Sequence, residues 1–344
     1  MKAVLLTGIG KMEIADIPTP TIENDNDVLL KIEMVGVCGS DIHYYETGKI
    51  GSQIIEYPFV VGHECAATVE AVGSSVKTLK PGERVVVDPA ISCYDCDQCN
   101  QGRDNTCRNL KFLGCPGQIS GCLCEYIVMP QQCCLAVNKD FSLEHAVLTE
   151  PLTIGLYAVK LANIPKNADI AILGAGPIGL SCLLNAKLEK PNASYVTEII
   201  DQRLEIAINA GADWGGNPNK QDIVKEILNR RPLGMDVVFE CAGKQETIDQ
   251  AIKILKPGGK LMLIGIPRTE RVSFVIDEAR RKELTIINVR RQNNCTPNCI
   301  VLITCGEINA EFMVTHRFNF EDTQKAFDMV AQYRDGVVKA LIEF

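Results

Sequence analysis

Four cysteines in one short stretch place the strongest restriction on how this chain folds. They are Cys93, Cys96, Cys99 and Cys107, spaced C-x2-C-x2-C-x7-C, and four thiolates at such spacing suit a tetrahedral metal ion. Iron–sulfur clusters are the nearest alternative, but ferredoxin-type runs close with C-x3-C followed by Pro, whereas here seven residues intervene and Arg108 follows. The stretch therefore predicts a lobe stapled by structural zinc. Because all four thiolates are used there, any chemistry must lie elsewhere.

The length of 344 residues indicates about two domains. A formal charge of −8 argues against nucleic acid or an anionic membrane as the main partner. The N-terminal apolar run is too short for a signal peptide, and no apolar stretch approaches about 18 residues. We therefore expect a cytoplasmic protein whose 16 cysteines are metal ligands or small core residues. Cys65, Cys182 and Cys241 lie in apolar runs and are expected in the core.

The pattern of the chain changes near its middle. Up to about residue 150, short strands alternate with turns at Gly73, Pro81-Gly82 and Pro130, which predicts a β-rich lobe. From about Pro165, strands and helices alternate, which predicts an α/β half with a parallel sheet. Strands are expected there at 169–173, 195–200, 236–241 and 260–264, with helices near 177–188 and 202–210. After Leu284 the sequence is mixed again, with helices near 297–305 and 321–334 and a closing strand at 336–344.

A glycine-rich turn follows the first strand of the α/β half. The turn, Gly174-Ala175-Gly176-Pro177-Ile178-Gly179, is a G-x-G-x-x-G placed directly before an apolar helix. Its first glycine permits the tight turn, its second lets the backbone approach a pyrophosphate, and its third lets the helix pack on the strand. The helix N-terminus offers N–H groups to the anion. Pro177 suits the first position of the helix, because the N–H that proline lacks would have no partner within the helix there. This context predicts a dinucleotide site.

Two side chains near this turn bear on the cofactor. Glu198 ends the second strand, 19 residues beyond Gly179, where a carboxylate can accept both ribose hydroxyls of NAD and repel a 2′-phosphate. The sequence therefore favours NAD over NADP. Arg203 either flanks the adenosine or is an exposed helix arginine.

A second set of metal donors comes from three separated segments. They are Cys38-Gly39-Ser40-Asp41-Ile42-His43, Gly62-His63-Glu64 and Glu150-Pro151. A thiolate, an imidazole and carboxylates, with a position left for water or substrate, are what an open catalytic zinc site needs. Each segment by itself is weak evidence for a zinc site. The presence of all three in a chain with a predicted dinucleotide fold strengthens that interpretation.

Together these motifs resemble the zinc-dependent medium-chain dehydrogenases, and within them the polyol branch of sorbitol (L-iditol) and xylitol dehydrogenases. The resemblance spans the whole chain and includes Thr149-Glu150-Pro151-Leu152 and Val289-Arg290-Arg291-Gln292-Asn293. It implies that Cys38, His63 and Glu64 bind the catalytic zinc and that Glu150 contacts the metal or its water. It also implies a GroES-like catalytic domain of residues 1–150 and 288–344, a Rossmann NAD-binding domain of residues 151–287, and a homodimer or homotetramer.

The expected reaction follows from charge. Zinc lowers the pKa of a substrate hydroxyl, hydride leaves carbon for the nicotinamide, and a ketose results. The resemblance assigns the exit of the proton to Ser40 and His43, and a histidine suits this role because its pKa lies near the operating pH. Glu150 is the alternative proton carrier, through zinc-bound water.

A polyol has several hydroxyls and almost no apolar surface, so its site needs polar groups beyond the metal. Tyr44, Glu150 and Arg291 are the candidates by resemblance, and the alternative role of Arg291 is an ion pair that holds the tail to the core. Gln292 stands where animal relatives carry Tyr, and Cys122 and Cys124 replace small residues of the usual Gly-Gly-x-Ala-Glu-Tyr loop. Substrate identity is therefore the least constrained property.

Three functional hypotheses remain. The first is an NAD- and zinc-dependent polyol dehydrogenase, and the second keeps this chemistry on a polyol phosphate, a sugar acid or threonine. The third is a non-catalytic NAD-binding or thiol-sensing protein of the same fold. It would require lost metal ligands, whereas Cys38, His63, Glu64 and Glu150 are all present.

Overall fold

A computed structural model describes all residues of the chain, 1–344. The strands are β1 (Lys2–Gly8), β2 (Lys11–Asp16), β3 (Asp27–Gly36), β4 (Lys49–Ile50), β5 (Gln53–Ile54), β6 (Glu64–Val72), β7 (Arg84–Val87), β8 (Ala90–Ile91), β9 (Lys111–Phe112), β10 (Tyr126–Pro130), β11 (Cys134–Ala136), β12 (Asp169–Leu173), β13 (Ala193–Thr197), β14 (Trp214–Gly216), β15 (Met235–Glu240), β16 (Leu255–Leu263), β17 (Thr285–Asn288), β18 (Val314–Asn319) and β19 (Lys339–Glu343).

The helices are α1 (Gly39–Thr47), α2 (Asp97–Asn100), α3 (Leu143–Ala162), α4 (Pro177–Leu188), α5 (Asp201–Asn209), α6 (Ile223–Arg230), α7 (Gln245–Ile254), α8 (Ile276–Arg281), α9 (Thr296–Thr304) and α10 (Thr323–Ala331). The chain forms two compact units, Met1–Glu150 with Thr296–Phe344, and Pro151–Cys295. None of the helices is both long enough and apolar enough to cross a lipid bilayer.

The first unit is built on a seven-stranded sheet in the order β11-β7-β6-β3-β19-β18, with β10 also paired to β3. Its long strand β3 alternates buried Val28, Leu30 and Ile32 with more exposed residues, the period-two pattern of a sheet with one face in the core. The pairings of β3 with β6, β10 and β19 are antiparallel. The C-terminal strand β19 therefore belongs to the same sheet as strands from the first half of the chain.

The second unit contains a six-stranded parallel sheet in the order β14-β13-β12-β15-β16-β17. Its central strand β12 is buried on both faces, as expected of a parallel strand covered by crossover helices. The predicted α/β half with a parallel sheet is confirmed. Because parallel strands end at the same edge, the turns that follow β12, β13 and β15 lie side by side, which is where such sheets bind ligands.

Several bounds differ from the sequence-based expectation. Strand β13 spans Ala193–Thr197 rather than 195–200, and β19 spans Lys339–Glu343 rather than 336–344. Strand β16 begins at Leu255 rather than at residue 260, because Leu255 already pairs with Met235 of β15. Residues 256–259 lie at a register shift between that pair and the next one, Val237 with Lys260, and Gly258 has a positive φ of 75°. The second unit also continues to Cys295. The expected boundary before residue 288 falls inside it, because β17 pairs with β16 and Val289 N–H still donates to Leu263 O at 2.9 Å.

Replacement of Phe239 by Ala tests the core of the second unit. Phe239 is fully buried in β15, so we expect its loss to lower the free energy of unfolding by about 3–5 kcal/mol, through lost burial and a residual cavity. Leu233, which is 85% exposed, is the matched control, and Leu233→Ala should leave stability unchanged. Differential scanning calorimetry of the two variants measures the difference, and equal transitions would contradict this packing.

Candidate functional site

The four cysteines of the predicted zinc lobe lie together. Sulfur–sulfur distances are 3.4 Å between Cys93 and Cys107, 3.6 Å between Cys96 and Cys99, and 4.0 Å between Cys96 and Cys107. Ligands at about 2.3 Å from a tetrahedral zinc would lie about 3.8 Å apart. The arrangement therefore fits a zinc ion held by four thiolates.

Backbone N–H groups prepare these sulfurs for a metal. The amides of Arg108 and Asn109 donate to Cys96 and Cys107 at 3.5 and 3.3 Å. Backbone donors, first among them the amide of Cys99, lower the pKa of Cys96 to about 6. Metal ligation requires the thiolate, so these backbone donors favour the ligating form of Cys96, whereas burial raises the pKa of Cys99 to about 12.

Most of the other cysteines are packing residues. All sixteen are free thiols, and Cys65 and Cys182 are buried in the core as expected, whereas Cys241 is partly exposed. Cys122 and Cys124, which depart from the usual loop sequence, are also buried. Burial raises the pKa of Cys124 to about 12, which keeps the thiol protonated and unreactive.

The second group of donors begins at the N-terminus of α1. Cys38 is the N-cap residue of this helix, and its backbone N–H donates to Asp41 Oδ2 at 3.2 Å. Ser40 Oγ donates to Cys38 Sγ at 3.3 Å. The turn from β3 into α1 thus fixes the sulfur and gives it a hydroxyl partner.

His63 is held by Asp41, a residue to which the sequence analysis gave no role. Asp41 is fully buried, and its Oδ1 accepts Gly62 N–H at 3.2 Å and lies 3.4 Å from His63 Nδ1. Burial opposes protonation of His63, but the charges of Asp41 and Cys38 raise its pKa well above the ordinary value. A carboxylate on one ring nitrogen directs the other nitrogen to a metal. The ring also packs on Phe112, with centroids 5.3 Å apart.

Glu64, the first residue of β6, forms a buried ion pair with Lys339 of β19. Oε2 of Glu64 accepts from Lys339 Nζ, and both side chains are 1% exposed. Oε1 of Glu64 is buried without a hydrogen-bond partner. An unpartnered buried carboxylate oxygen is costly, and a metal ion would satisfy it.

Donor atoms of Cys38, His63 and Glu64 lie within 4.8 Å of one another. A thiolate sulfur, an imidazole nitrogen and a carboxylate oxygen are suitable zinc ligands, and three protein ligands with an open position are typical of catalytic rather than structural zinc. These residues therefore fit a catalytic zinc ion.

Glu150 is not part of this group of three. It lies in α3 directly before Pro151 and is partly buried. Burial raises the pKa of Glu150 to about 7, with a further increase from the charge of Glu64 and opposing effects of His63 and Lys339. The carboxyl group is thus close enough to His63 and Glu64 for their charges to affect its pKa.

The other residues expected to serve the reaction lie on α1 or in the second unit. Tyr44 is buried, and its hydroxyl donates to Gln53 Oε1 at 3.1 Å. His43 is partly buried on the same helix. Arg291 follows β17 in the second unit, with a left-handed backbone conformation at φ 53°.

The glycine turn of the second unit has the close contacts that its sequence predicts. Gly174 has φ +103°, and a Cβ on Gly179 would lie 1.8 Å from Gly174 O, so neither position tolerates a larger residue. Pro177 and Ile178 open α4, and Gly176 is its N-cap. The α4 N-terminus therefore faces the turn, where backbone N–H groups are available to a phosphate.

Glu198 and Arg203 both lie beside this turn. The Glu198 carboxylate accepts N–H groups of Ala175, Ile199 and Ile200 at 2.8, 2.8 and 3.0 Å. Arg203 is buried rather than an exposed helix residue, and its Nη1 lies 3.8 Å from the Cβ position of Gly176. A guanidinium at that place is suited to a nucleotide anion.

Two residues that contact the candidate metal ligands were missed by sequence reasoning. Asp41 lies inside the Cys38 motif. Its position three residues after the N-cap is typical of a residue that caps a helix, and this position could have indicated a structural role. Lys339 lies in an apolar C-terminal strand. A lysine in such a buried segment requires a partner of opposite charge, and this requirement could have drawn attention to it. Neither signal identifies that partner.

Comparisons with known proteins agree with this geometry. Residues 24–139 match the family model described as alcohol dehydrogenase GroES-like domain, and residues 177–304 match the model described as zinc-binding dehydrogenase. The chain is 34% identical to sorbitol dehydrogenase of Bacillus subtilis, over 99% of this chain and 97% of the relative. It is 35% identical to L-idonate 5-dehydrogenase of Vitis vinifera, over 96% and 91% of the two chains.

Solved structures give the same result. A zinc-binding dehydrogenase of Sinorhizobium meliloti bound to NADP superposes with a TM-score of 0.90 at 30% identity, over 100% of this chain and 99% of that one. An alcohol dehydrogenase of Escherichia coli complexed with NADH superposes with a TM-score of 0.91 at 30% identity, over 100% and 99%. Zinc and a nicotinamide cofactor are therefore supported for this fold, and both forms of the cofactor occur among its relatives.

Cys99→Ser tests the four-thiolate lobe. Serine oxygen is a poor ligand for this soft site, so we expect the variant to lose about one zinc ion per chain and to unfold at a lower temperature. Cys305→Ser, at an exposed cysteine outside the cluster, is the control and should keep all its zinc. Metal content by atomic emission decides, and undiminished zinc in Cys99→Ser would refute the assignment.

Proposed function

Because the chain belongs to the zinc-dependent medium-chain dehydrogenases, in the branch of the polyol dehydrogenases, we propose that it transfers a hydride from a secondary alcohol of a polyol to NAD and forms a ketose. The observation that carries the proposal is the meeting of Cys38, His63 and Glu64 donor atoms within 4.8 Å, with a buried, unpartnered oxygen on Glu64. The glycine turn after β12 supplies the second requirement, a place for the dinucleotide.

In this proposal Cys38, His63 and Glu64 hold the catalytic zinc, and the Cys93 to Cys107 quartet holds the structural zinc. A bound zinc ion supplies a Lewis acid, and the oxidised nicotinamide supplies a hydride acceptor. Asp41 keeps a proton on His63 Nδ1, which leaves Nε2 for the metal. Ser40 donates to the Cys38 sulfur, which reduces the charge that this ligand presents.

Three side chains are candidates for removing the hydroxyl proton. Ser40 and His43 lie on the first turns of α1, and Ser40 is already beside the Cys38 sulfur. Glu150 has a pKa raised to about 7 by burial, so its carboxyl group exchanges a proton near neutral pH. We assign the relay to Ser40 and His43, with Glu150 as the alternative carrier.

Substrate specificity is proposed to rest on polar groups beyond the metal. Tyr44 and its partner Gln53 offer a hydroxyl and an amide in the first unit, and Glu150 and Arg291 are the further candidates. Free polyols are favoured by the sorbitol dehydrogenase relative. A sugar acid is the second candidate, favoured by the L-idonate 5-dehydrogenase relative at 35% identity.

NAD is proposed as the cofactor, together with a cytoplasmic homodimer or homotetramer. Glu198 places a negative charge at the end of β13, where it would repel a 2′-phosphate. Support for an oligomer comes from β17, which ends the parallel sheet with an unpaired edge and bears partly exposed Ile286 and Ile287. Such an edge is suited to pairing with another strand.

A substrate panel tests the reaction. Zinc-loaded protein with NAD is assayed for NADH formation on sorbitol, xylitol, iditol, galactitol, their phosphates, sugar acids including L-idonate, threonine and simple alcohols. We expect turnover of a free polyol, and none by Cys38→Ser, which lacks a thiolate ligand. Turnover restricted to a sugar acid, a phosphate or threonine would change the substrate class. No NADH formation with any compound would overturn the enzyme assignment.

Glu198→Gln tests the cofactor. Without the negative charge, we expect the ratio of kcat/KM for NADP to that for NAD to rise about tenfold or more, the size of one hydrogen bond to a charged group. Glu205, exposed on α5, is the matched control, and Glu205→Gln should keep the original ratio. An unchanged ratio in Glu198→Gln, or a wild-type preference for NADP, would contradict the assignment of NAD.

A further inference from the structure

Lys339 is buried in the sheet of the first unit, close to the proposed metal ligands. It begins β19, which pairs with β3, and β3 pairs on its other side with β6, where Glu64 is the first residue. Gly36 at the end of β3 is aligned with both Leu341 and Glu64. The lysine side chain therefore reaches across the end of β3 to the carboxylate.

The ammonium group has two acceptors. Nζ donates to Glu64 Oε2 and to Val37 O, the latter at 3.2 Å. Both side chains of this pair are 1% exposed, so the ammonium and the carboxylate neutralise each other away from water. A buried ion pair is on average no more stabilising than two apolar residues in its place. Stability alone therefore does not account for this pair.

The two oxygens of Glu64 are in different surroundings. Oε2 is enclosed by Lys339 and Gly36, because a Cβ on Gly36 would lie 2.5 Å from that oxygen and 2.8 Å from Val147 Cγ1. Oε1 has no hydrogen-bond partner, and the Glu64 carboxylate lies near Cys38 and His63. The carboxylate thus presents one free oxygen and one engaged oxygen.

We propose that Lys339 is a positioning residue that holds Oε2 of Glu64 away from the catalytic zinc, so that Glu64 donates Oε1 alone and a coordination position stays open for the substrate. The inference rests on the proposed function, because it concerns the same metal site. A catalytic zinc site needs such an open position, and a glutamate that binds through both oxygens would fill it. The lysine also adds a positive charge to a site that otherwise carries two anionic ligands.

Lys339→Met tests the proposal, because methionine keeps most of the side-chain volume and removes the charge. Lys339→Arg is the conservative variant, and Lys339→Gln, which keeps a donor without charge, replaces the methionine variant if that protein does not fold. Arg317→Met is the matched control, since Arg317 lies on the neighbouring strand β18 and pairs with Glu144 at 3.0 Å. Each variant is prepared with zinc and with Co²⁺ in its place.

Metal affinity by chelator competition and the visible absorption of the cobalt protein are the readouts. Loss of one nearby positive charge and release of Oε2 should make the catalytic metal of Lys339→Met bind about tenfold more tightly or better. The cobalt bands should weaken, since coordination by more ligands lowers their intensity. Lys339→Arg and Arg317→Met should match the wild type in both measurements, and the quartet contributes equally to all the spectra.

Two results would overturn the proposal by showing that the ion pair is merely structural. One is unchanged or weaker metal binding in Lys339→Met. The other is a Lys339→Met protein whose cobalt spectrum equals that of the wild type and whose melting temperature alone has changed. The same wild-type preparation is assayed for zinc content and for NADH formation with polyols. A wild type that binds two zinc ions and oxidises a polyol, beside an unaltered Lys339→Met, refutes this inference alone. A wild type without catalytic zinc or activity refutes the proposed function itself.

Discussion

The pairing of the C-terminal strand β19 with β3 is the interaction on which the proposed metal site depends. It aligns Leu341 with Gly36, while the other edge of β3 aligns Gly36 with Glu64. Residues from both ends of the chain thereby meet beside the turn that carries Cys38. Because the pairing is antiparallel and one face of the sheet is buried, a shift of one residue would move Lys339 to the opposite face. The register of this pairing therefore determines which cation reaches Glu64.

Each donor of the proposed catalytic site has a partner that fixes its state. Asp41 contacts His63, Ser40 contacts Cys38, and Lys339 contacts Glu64. Ionisable groups that lose water need such partners, because the interior stabilises charge poorly. The same partners orient the donor atoms before a metal arrives. The four-cysteine lobe differs in kind, since its sulfurs are oriented by backbone N–H groups of the same short segment.

Local patterns predicted much of the fold. The glycine turn, β12 and α4 lie where the sequence placed them, because the constraints on them act within a few residues. The earlier start of β16 at Leu255 and the continuation of the second unit to Cys295 were not predicted. Both depend on pairing with a neighbouring strand, and β-structure follows its context more than its own propensity.

The sequence by itself determined the chemical types of the donors and the spacing of the quartet and of the glycine turn. These are properties of short segments, in which the covalent chain fixes distances. Only the tertiary structure decided that Asp41 supports His63 and that Lys339, 275 residues from Glu64 in the chain, engages one of its two oxygens. Contacts over such separations arise from strand register and side-chain packing, and no local pattern encodes them.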